Sequence, residues 1–194
     1  MTRAEAAARQ NRAQELVRLL AGRPLVLVGM MGAGKTTVGR RVANRLERTF
    51  RDSDEEIEKA AQMTIPEIFE QRGEPEFRAG ETRVIARLLK EGDLVLATGG
   101  GAFVNADTRA LVKSEAVSVW LKADAGILFE RVSRRANRPL LKTPNPRATL
   151  EKLIAERYPV YAEADVTVLS RDVPQDAVAA DVIAATLRHL KQEK

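Results

Sequence analysis

The chain has no cysteine and a single histidine, His189. The first absence excludes a disulfide framework, a thiolate metal site and a cysteine nucleophile, and the second excludes a multi-histidine metal centre. Aromatic residues make up only 4% of the sequence, too few to interleave with the arginines between Arg131 and Arg147 as a base-stacking surface requires, so nucleic acid is not an expected partner. No apolar run approaches the roughly 20 residues that cross a bilayer, and no membrane partner is expected. Two signatures of particular nucleotide-binding classes are also missing. There is no Asn-Lys-x-Asp of the kind that specifies guanine, and the apolar run Val117 to Leu121 ends in Lys122, not in an acid.

What remains is an ordinary globular composition. The 194 residues are 44% hydrophobic and 30% charged, and 32 basic against 27 acidic residues leave a dispersed net charge of +5 that suits anionic ligands. One α/β domain is expected over residues 24 to 194, preceded by an extension over residues 1 to 23. In that extension Ala13, Leu16, Val17 and Leu20 share one helical face. Glu5 and Glu15 interrupt it, and no continuous apolar stretch precedes a cleavage site, so it reads as a plain extension and not as a targeting segment.

The strongest positive signal is Gly29-Met30-Met31-Gly32-Ala33-Gly34-Lys35-Thr36, which fits the phosphate-binding pattern G-x-x-x-x-G-K-[ST]. It lies between an apolar strand, Leu25 to Val28, and a helix starting near Thr37, the order that this loop needs. Gly32, Ala33, Gly34, Lys35, Thr36 and Thr37 are the expected nucleotide contacts. Backbone N–H groups and the helix N-terminus would face the phosphates, Lys35 would reach the β- and γ-phosphates, and the Thr36 hydroxyl would ligate Mg²⁺. The expected cofactors are therefore ATP and Mg²⁺.

Further along, strands are expected at Thr49 to Asp52, Leu94 to Ala97, Ala116 to Leu121 and Val166 to Leu169, each separated from the next by segments of helical spacing. Ser53 reads as a helix cap with Glu56 three residues on, and two short helices are expected around Ile57 and Ile68. Such alternation implies a parallel sheet with right-handed crossovers. The segment from Arg131 to Pro146, rich in arginine and proline, is a lid candidate. Asp52 and Asp54 fall at the carboxyl end of a strand, where open α/β sheets bind ligands, and this favours a small-molecule kinase.

These residues resemble one family, the shikimate kinases, from about Leu25 to Val168. The resemblance rests on Gly29 to Thr36, Asp52-Ser53-Asp54, Gly73-Glu74 with Phe77-Arg78 and Glu81, Gly99-Gly100-Gly101, Arg138-Pro139-Leu140-Leu141 and Arg157-Tyr158-Pro159-Val160-Tyr161. It implies a three-layer phosphate-loop kinase fold with a five-stranded parallel sheet in the order 2-3-1-4-5, a substrate-binding insertion at about residues 54 to 80 and a lid at about 131 to 146. It also implies MgATP-dependent phosphorylation of the 3-hydroxyl of shikimate in the pathway to aromatic amino acids. A cytoplasmic monomer is expected.

The chemistry of a cyclic carboxylate with three hydroxyls suits the residues present. Arg78 and Arg157 are expected to clamp the carboxylate, because a guanidinium forms bidentate hydrogen bonds that lysine cannot. Asp54 is the expected base or orienting group for the attacking hydroxyl, and Asp52 is the expected acid on the metal side. Gly100 and Gly101 offer backbone N–H groups unshielded by a Cβ. Arg138 corresponds to the family's lid arginine, and Arg131 to its adenine-stacking arginine, with Arg134 close by as an alternative. Plainer readings exist for several of them: an Arg78–Glu81 salt bridge, a helix cap at Asp52-Ser53-Asp54 and a flexible glycine turn. The rival functions are a kinase acting on gluconate or a nucleotide, and a non-catalytic nucleotide-binding module.

Overall fold

A computed structural model describes residues 3–134 and 143–193. Five strands form one parallel sheet: β1 (Leu25–Val28), β2 (Thr49–Asp52), β3 (Leu94–Ala97), β4 (Val117–Lys122) and β5 (Val166–Leu169), in the order β2-β3-β1-β4-β5. That is the order implied by the family resemblance. β1 pairs with β3 from Leu25 opposite Val95, and with β4 from Leu25 opposite Val117, so the phosphate-loop strand lies at the centre. Both β1 and β3 are buried at all four positions, as a parallel sheet covered on both faces requires.

Among the described residues the helices are α1 (Arg3–Leu20), α2 (Lys35–Leu46), α3 (Ser53–Ala61), α4 (Ile65–Glu91), α5 (Ala106–Glu115), α6 (Ala125–Ser133), α7 (Pro146–Tyr161) and α8 (Gln175–Gln192). Three boundaries differ from the sequence reading. The cap of α3 is Asp52, whose carboxylate accepts from the Asp54 N–H at 3.0 Å, while Ser53 is the first helical residue. The expected second short helix does not end as one: it continues to Glu91 as a single element, α4, kinked at Gly73, where φ is 79°. Its start is a complete capping box, with Thr64 and Glu67 bonding reciprocally. The third helix-forming stretch before β4 begins at Ala106, capped by Asn105, after a short 3₁₀ turn at Ala102–Val104.

Residues before Pro24 do more than precede the sheet. Ala13, Leu16 and Leu20 of α1 are buried in the main hydrophobic core, where α1 packs on α2 and α8. These three are on the face that the spacing predicted. Below the sheet, the Arg48 side chain is almost wholly buried, donating to the Arg23 carbonyl at 2.8 Å and lying 2.7 Å from the Asp93 carboxylate. Burial lowers the Arg48 pKa while Asp93 pulls it back up. A smaller cluster of Ile57, Ile68 and Phe77 holds α3 against α4 and thereby sets the spacing of the side chains these helices carry.

Replacing Leu16 tests whether α1 belongs to the folding unit. Leu16→Ala should lower unfolding free energy by about 2–5 kcal/mol, the usual range for a fully buried leucine, in one cooperative urea transition. A change below about 0.5 kcal/mol would show that α1 is dispensable to the core.

Candidate active site

All five strands point their carboxyl ends at one edge, where a cleft of about 470 Å³ opens. Its lining includes Gly32, Gly34, Lys35, Thr36, Thr37, Asp52, Asp54, Gly99, Gly100 and Arg131. The expected phosphate-loop residues and both expected aspartates therefore share one cavity. Gly34 caps α2 with φ of 92°, a left-handed conformation that strains any side-chain-bearing residue, and from there the first turn of α2 opens into the cleft. The Lys35 ammonium is buried and donates to the carbonyls of Gly29 at 2.7 Å and Met30 at 2.9 Å. The loop is thus pinned around this cation.

The Thr36 hydroxyl donates to Asp52 Oδ2 at 2.8 Å. An alcohol and a carboxylate are set side by side by two different elements, the start of α2 and the end of β2. Such an all-oxygen pair fits Mg²⁺, which takes one or two protein ligands and retains waters. No group of three or more His, Cys, Asp or Glu residues that could hold a metal occurs among the described residues, so the oxygen pair needs further ligands from water and nucleotide.

On the other side of the cleft, the run Gly99-Gly100-Gly101 is enclosed by charged side chains. A Cβ on Gly99 would lie 2.7 Å from Asp54 Oδ1 and 2.9 Å from Glu81 Oε1, and one on Gly101 would lie 2.6 Å from an Arg78 guanidinium nitrogen. Ser53 Oγ accepts from the Gly99 N–H at 2.9 Å and fixes the run's start. Arg157, from α7, donates to the Gly100 carbonyl at 3.4 Å, and the Tyr161 hydroxyl donates to the same oxygen. The glycines are needed here for close approach, and the turn is held at both ends.

Arg78 and Glu81 form the i,i+3 ion pair that the plainer reading anticipated, at 2.7 Å. The pair does not remove Arg78 from the site, because its guanidinium also borders Gly101. The Glu81 side chain is only 1% exposed, and burial pushes its carboxyl above the usual range, with Arg78 and Arg157 pulling it back and Asp54 adding to the rise. Burial opposes charge on Arg78 too, but Glu81 and Glu74 outweigh it and raise the Arg78 pKa. Glu81 Oε1 has no hydrogen-bond partner among the described residues. Tyr161 is pushed up to about 12, chiefly by burial.

Arg131 of α6 ties two loops together, donating to the Gly32 carbonyl at 3.4 Å, to Ser170 Oγ at 3.0 Å and to the Arg171 carbonyl at 2.8 Å. Ser170 Oγ in turn donates to the Ala33 carbonyl at 2.8 Å. Arg134 pairs with Glu130 and is far more exposed. Arg138 and residues 135–142 of the lid candidate lie outside the described residues.

The family model for shikimate kinase matches residues 31–187. A shikimate kinase of Rhodopseudomonas palustris is 58% identical over 180 residues, covering 93% of this chain and 89% of the relative. The chain belongs to the shikimate kinase family. One from Nitrobacter winogradskyi is 59% identical over 175 residues, covering 90% of this chain and 82% of the relative. Among solved structures, the shikimate kinase from Acinetobacter baumannii in complex with shikimate superposes with a TM-score of 0.82 at 42% identity, covering 86% of this chain and 93% of that one. The phosphate-loop kinase fold is that of its family neighbours.

The residues carried over from the shikimate kinase family, apart from Arg138, are thus brought to one sheet edge. Three neighbours had no assigned role in the sequence reading. Ser170 and Tyr161 each fix a loop carbonyl from a distant element, and Gln175 lines the cleft from the start of α8. No local pattern marks a serine after a strand as holding the phosphate loop, or a glutamine after Pro174 as lining the cleft. Tyr161 stood in a quoted motif, but only its contact with Gly100 explains it. Gly99→Ala should lower kcat/KM by about tenfold or more, since its Cβ would displace Asp54 and Glu81 together, while the unfolding midpoint stays near that of the parent; unchanged kinetics would show that the carboxylates yield without consequence.

Proposed function

We propose that the cleft binds MgATP against the start of α2 and shikimate against Gly99 to Gly101, and transfers the γ-phosphoryl group to the shikimate 3-hydroxyl. The observation that carries this reading is the convergence of a phosphate loop, a Thr36–Asp52 oxygen pair, Asp54 and two arginines at one edge of the sheet. The solved relative in complex with shikimate, at 42% identity, supports the choice of acceptor.

In this reading Arg78 and Arg157 hold the shikimate carboxylate, flanking the glycine run whose Gly100 and Gly101 N–H groups meet the acceptor. Asp54 accepts the hydroxyl proton as the oxygen attacks. The new O–P bond forms as the bond between the γ-phosphorus and its bridging oxygen breaks, and ADP leaves. Lys35 and the loop N–H groups stabilise the charge on the β- and γ-phosphates. Thr36 and, through water, Asp52 would hold Mg²⁺, which would supply neutralisation of the phosphate charge. Arg131 borders the adenosine end, and Arg138 reaches the transferred group from the lid.

The site roles are parts of this proposal, as is the reading of residues 24 to 194 as the kinase domain with residues 1 to 23 as an extension whose helix packs into its core. So are a monomeric state, the absence of nucleic-acid or membrane partners and a cytoplasmic location. Among the described residues no helix is long and apolar enough to cross a membrane. An intact set of phosphate-loop and acceptor-side residues counts against a non-catalytic nucleotide module.

Mg²⁺-dependent ADP release should appear with shikimate and stay at background with gluconate, AMP or no acceptor. Equal release in every reaction would overturn the acceptor assignment. Asp54→Asn should lower kcat roughly 10²- to 10⁴-fold with shikimate. Arg78→Lys and Arg157→Lys should each raise KM for shikimate about tenfold or more while leaving KM for ATP near its starting value, and the reverse pattern would move both arginines to the nucleotide side.

A further inference from the structure

The peptide unit joining Gly100 to Gly101 has no Cβ on either flank, so its carbonyl and its N–H can exchange directions at little steric cost. The unit is planar and trans, and its C=O and N–H therefore point in opposite directions: fixing one aims the other. The Gly100 carbonyl accepts from the Tyr161 hydroxyl, and from Arg157 at 3.4 Å. The Gly101 N–H, across the same plane, donates to nothing among the described residues. Gly101 lies beside Arg78, with guanidinium nitrogens 2.6 and 2.7 Å from where its Cβ would be. A free N–H is thus held next to one arginine while its carbonyl is held next to the other.

Tyr161 is built to be a fixed anchor. Its side chain is 1% exposed and packs against Trp120 and Tyr158, with ring centroids 6.1 and 6.4 Å away. Its hydroxyl lies 3.8 Å from Met30 Sδ, so the anchor is also set against the phosphate loop. Burial pushes the phenol up to about 12, and the donor proton stays in place in neutral and mildly alkaline solution. Arg157 is the weaker partner of the Gly100 carbonyl and is committed to the shikimate carboxylate in the reading above. A flipped peptide would turn its oxygen, and not its N–H, towards an anionic acceptor. We propose that Tyr161 is a positioning residue for the acceptor, its hydroxyl locking the Gly100–Gly101 peptide so that the Gly101 N–H is presented to shikimate. The proposal rests on the placement of shikimate against Gly99 to Gly101, and it adds a residue that acts on the acceptor without touching it.

Tyr161→Phe keeps the ring and removes the hydroxyl. Steady-state kinetics should show KM for shikimate raised about 3- to 10-fold, the loss expected when roughly 10–30% of molecules hold the competent peptide, with kcat and KM for ATP within about twofold of wild type. In ¹H–¹⁵N spectra the Gly101 amide resonance should shift or broaden in Tyr161→Phe, and saturating shikimate should restore a single sharp resonance by selecting the presented N–H. An unchanged KM for shikimate, an equal rise in both KM values or an unchanged Gly101 resonance would overturn the proposal. Absence of shikimate-dependent turnover in the wild type would instead overturn the acceptor assignment, so the two failures are distinct.

Discussion

The buried Lys35 ammonium, held by the Gly29 and Met30 carbonyls, is the interaction around which the cleft is built. A cation taken out of water needs fixed dipoles or anions close by. The two carbonyls supply part of that compensation, and in doing so they draw the loop into a ring at the N-terminus of α2. The same ring turns backbone donors towards the cleft, where an anion completes the compensation. Everything else at this edge is placed relative to that loop. Its strand is the central one of the sheet, so the ends of β3, β4 and β5 and their following segments are all within reach of it.

The acceptor side works by a different balance. Asp54 and Glu81 both lie where a Cβ of Gly99 would point, and a pair of carboxylates so placed needs cations. Arg78 and Arg157 come from opposite directions, one on α4 beside Glu81 and the other on α7 against Gly100. Glu81 therefore holds Arg78 by one oxygen while its other remains buried and unpartnered among the described residues. The ion pair is compatible with the proposed substrate clamp because a guanidinium has five donors, more than Glu74 and Glu81 together use.

Outer elements matter because they join loops that belong to different strands. Arg131 and Ser170 bind the phosphate loop to the segment after β5, and Tyr161 binds the end of α7 to the segment after β3. These contacts fall between residues 39 to 137 positions apart. Each gives one buried carbonyl a donor, and together they limit how far the cleft walls can move independently. Beneath them α1, α2 and α8 pack into the main core, so the helix that presents Gln175 is itself firmly seated.

The sequence by itself determined the strands, the phosphate loop and the family. Short apolar runs, a glycine pattern in its strand-to-helix setting and short motifs such as Asp52-Ser53-Asp54 and Phe77-Arg78 are local signals, and local signals survive without a fold. The face of α1 formed by Ala13, Leu16 and Leu20 was legible for the same reason. Tertiary structure decided where that face packs, and that Asp52 caps α3 instead of Ser53, a choice set by backbone angles at the end of β2. It also decided that Arg78 serves both a salt bridge and the glycine run, that Ser170 and Tyr161 tie down loop carbonyls beside the cleft, and that Gln175 lines it. Such contacts arise from how right-handed crossovers bring the carboxyl ends of separate strands together, and no window of the chain contains both partners.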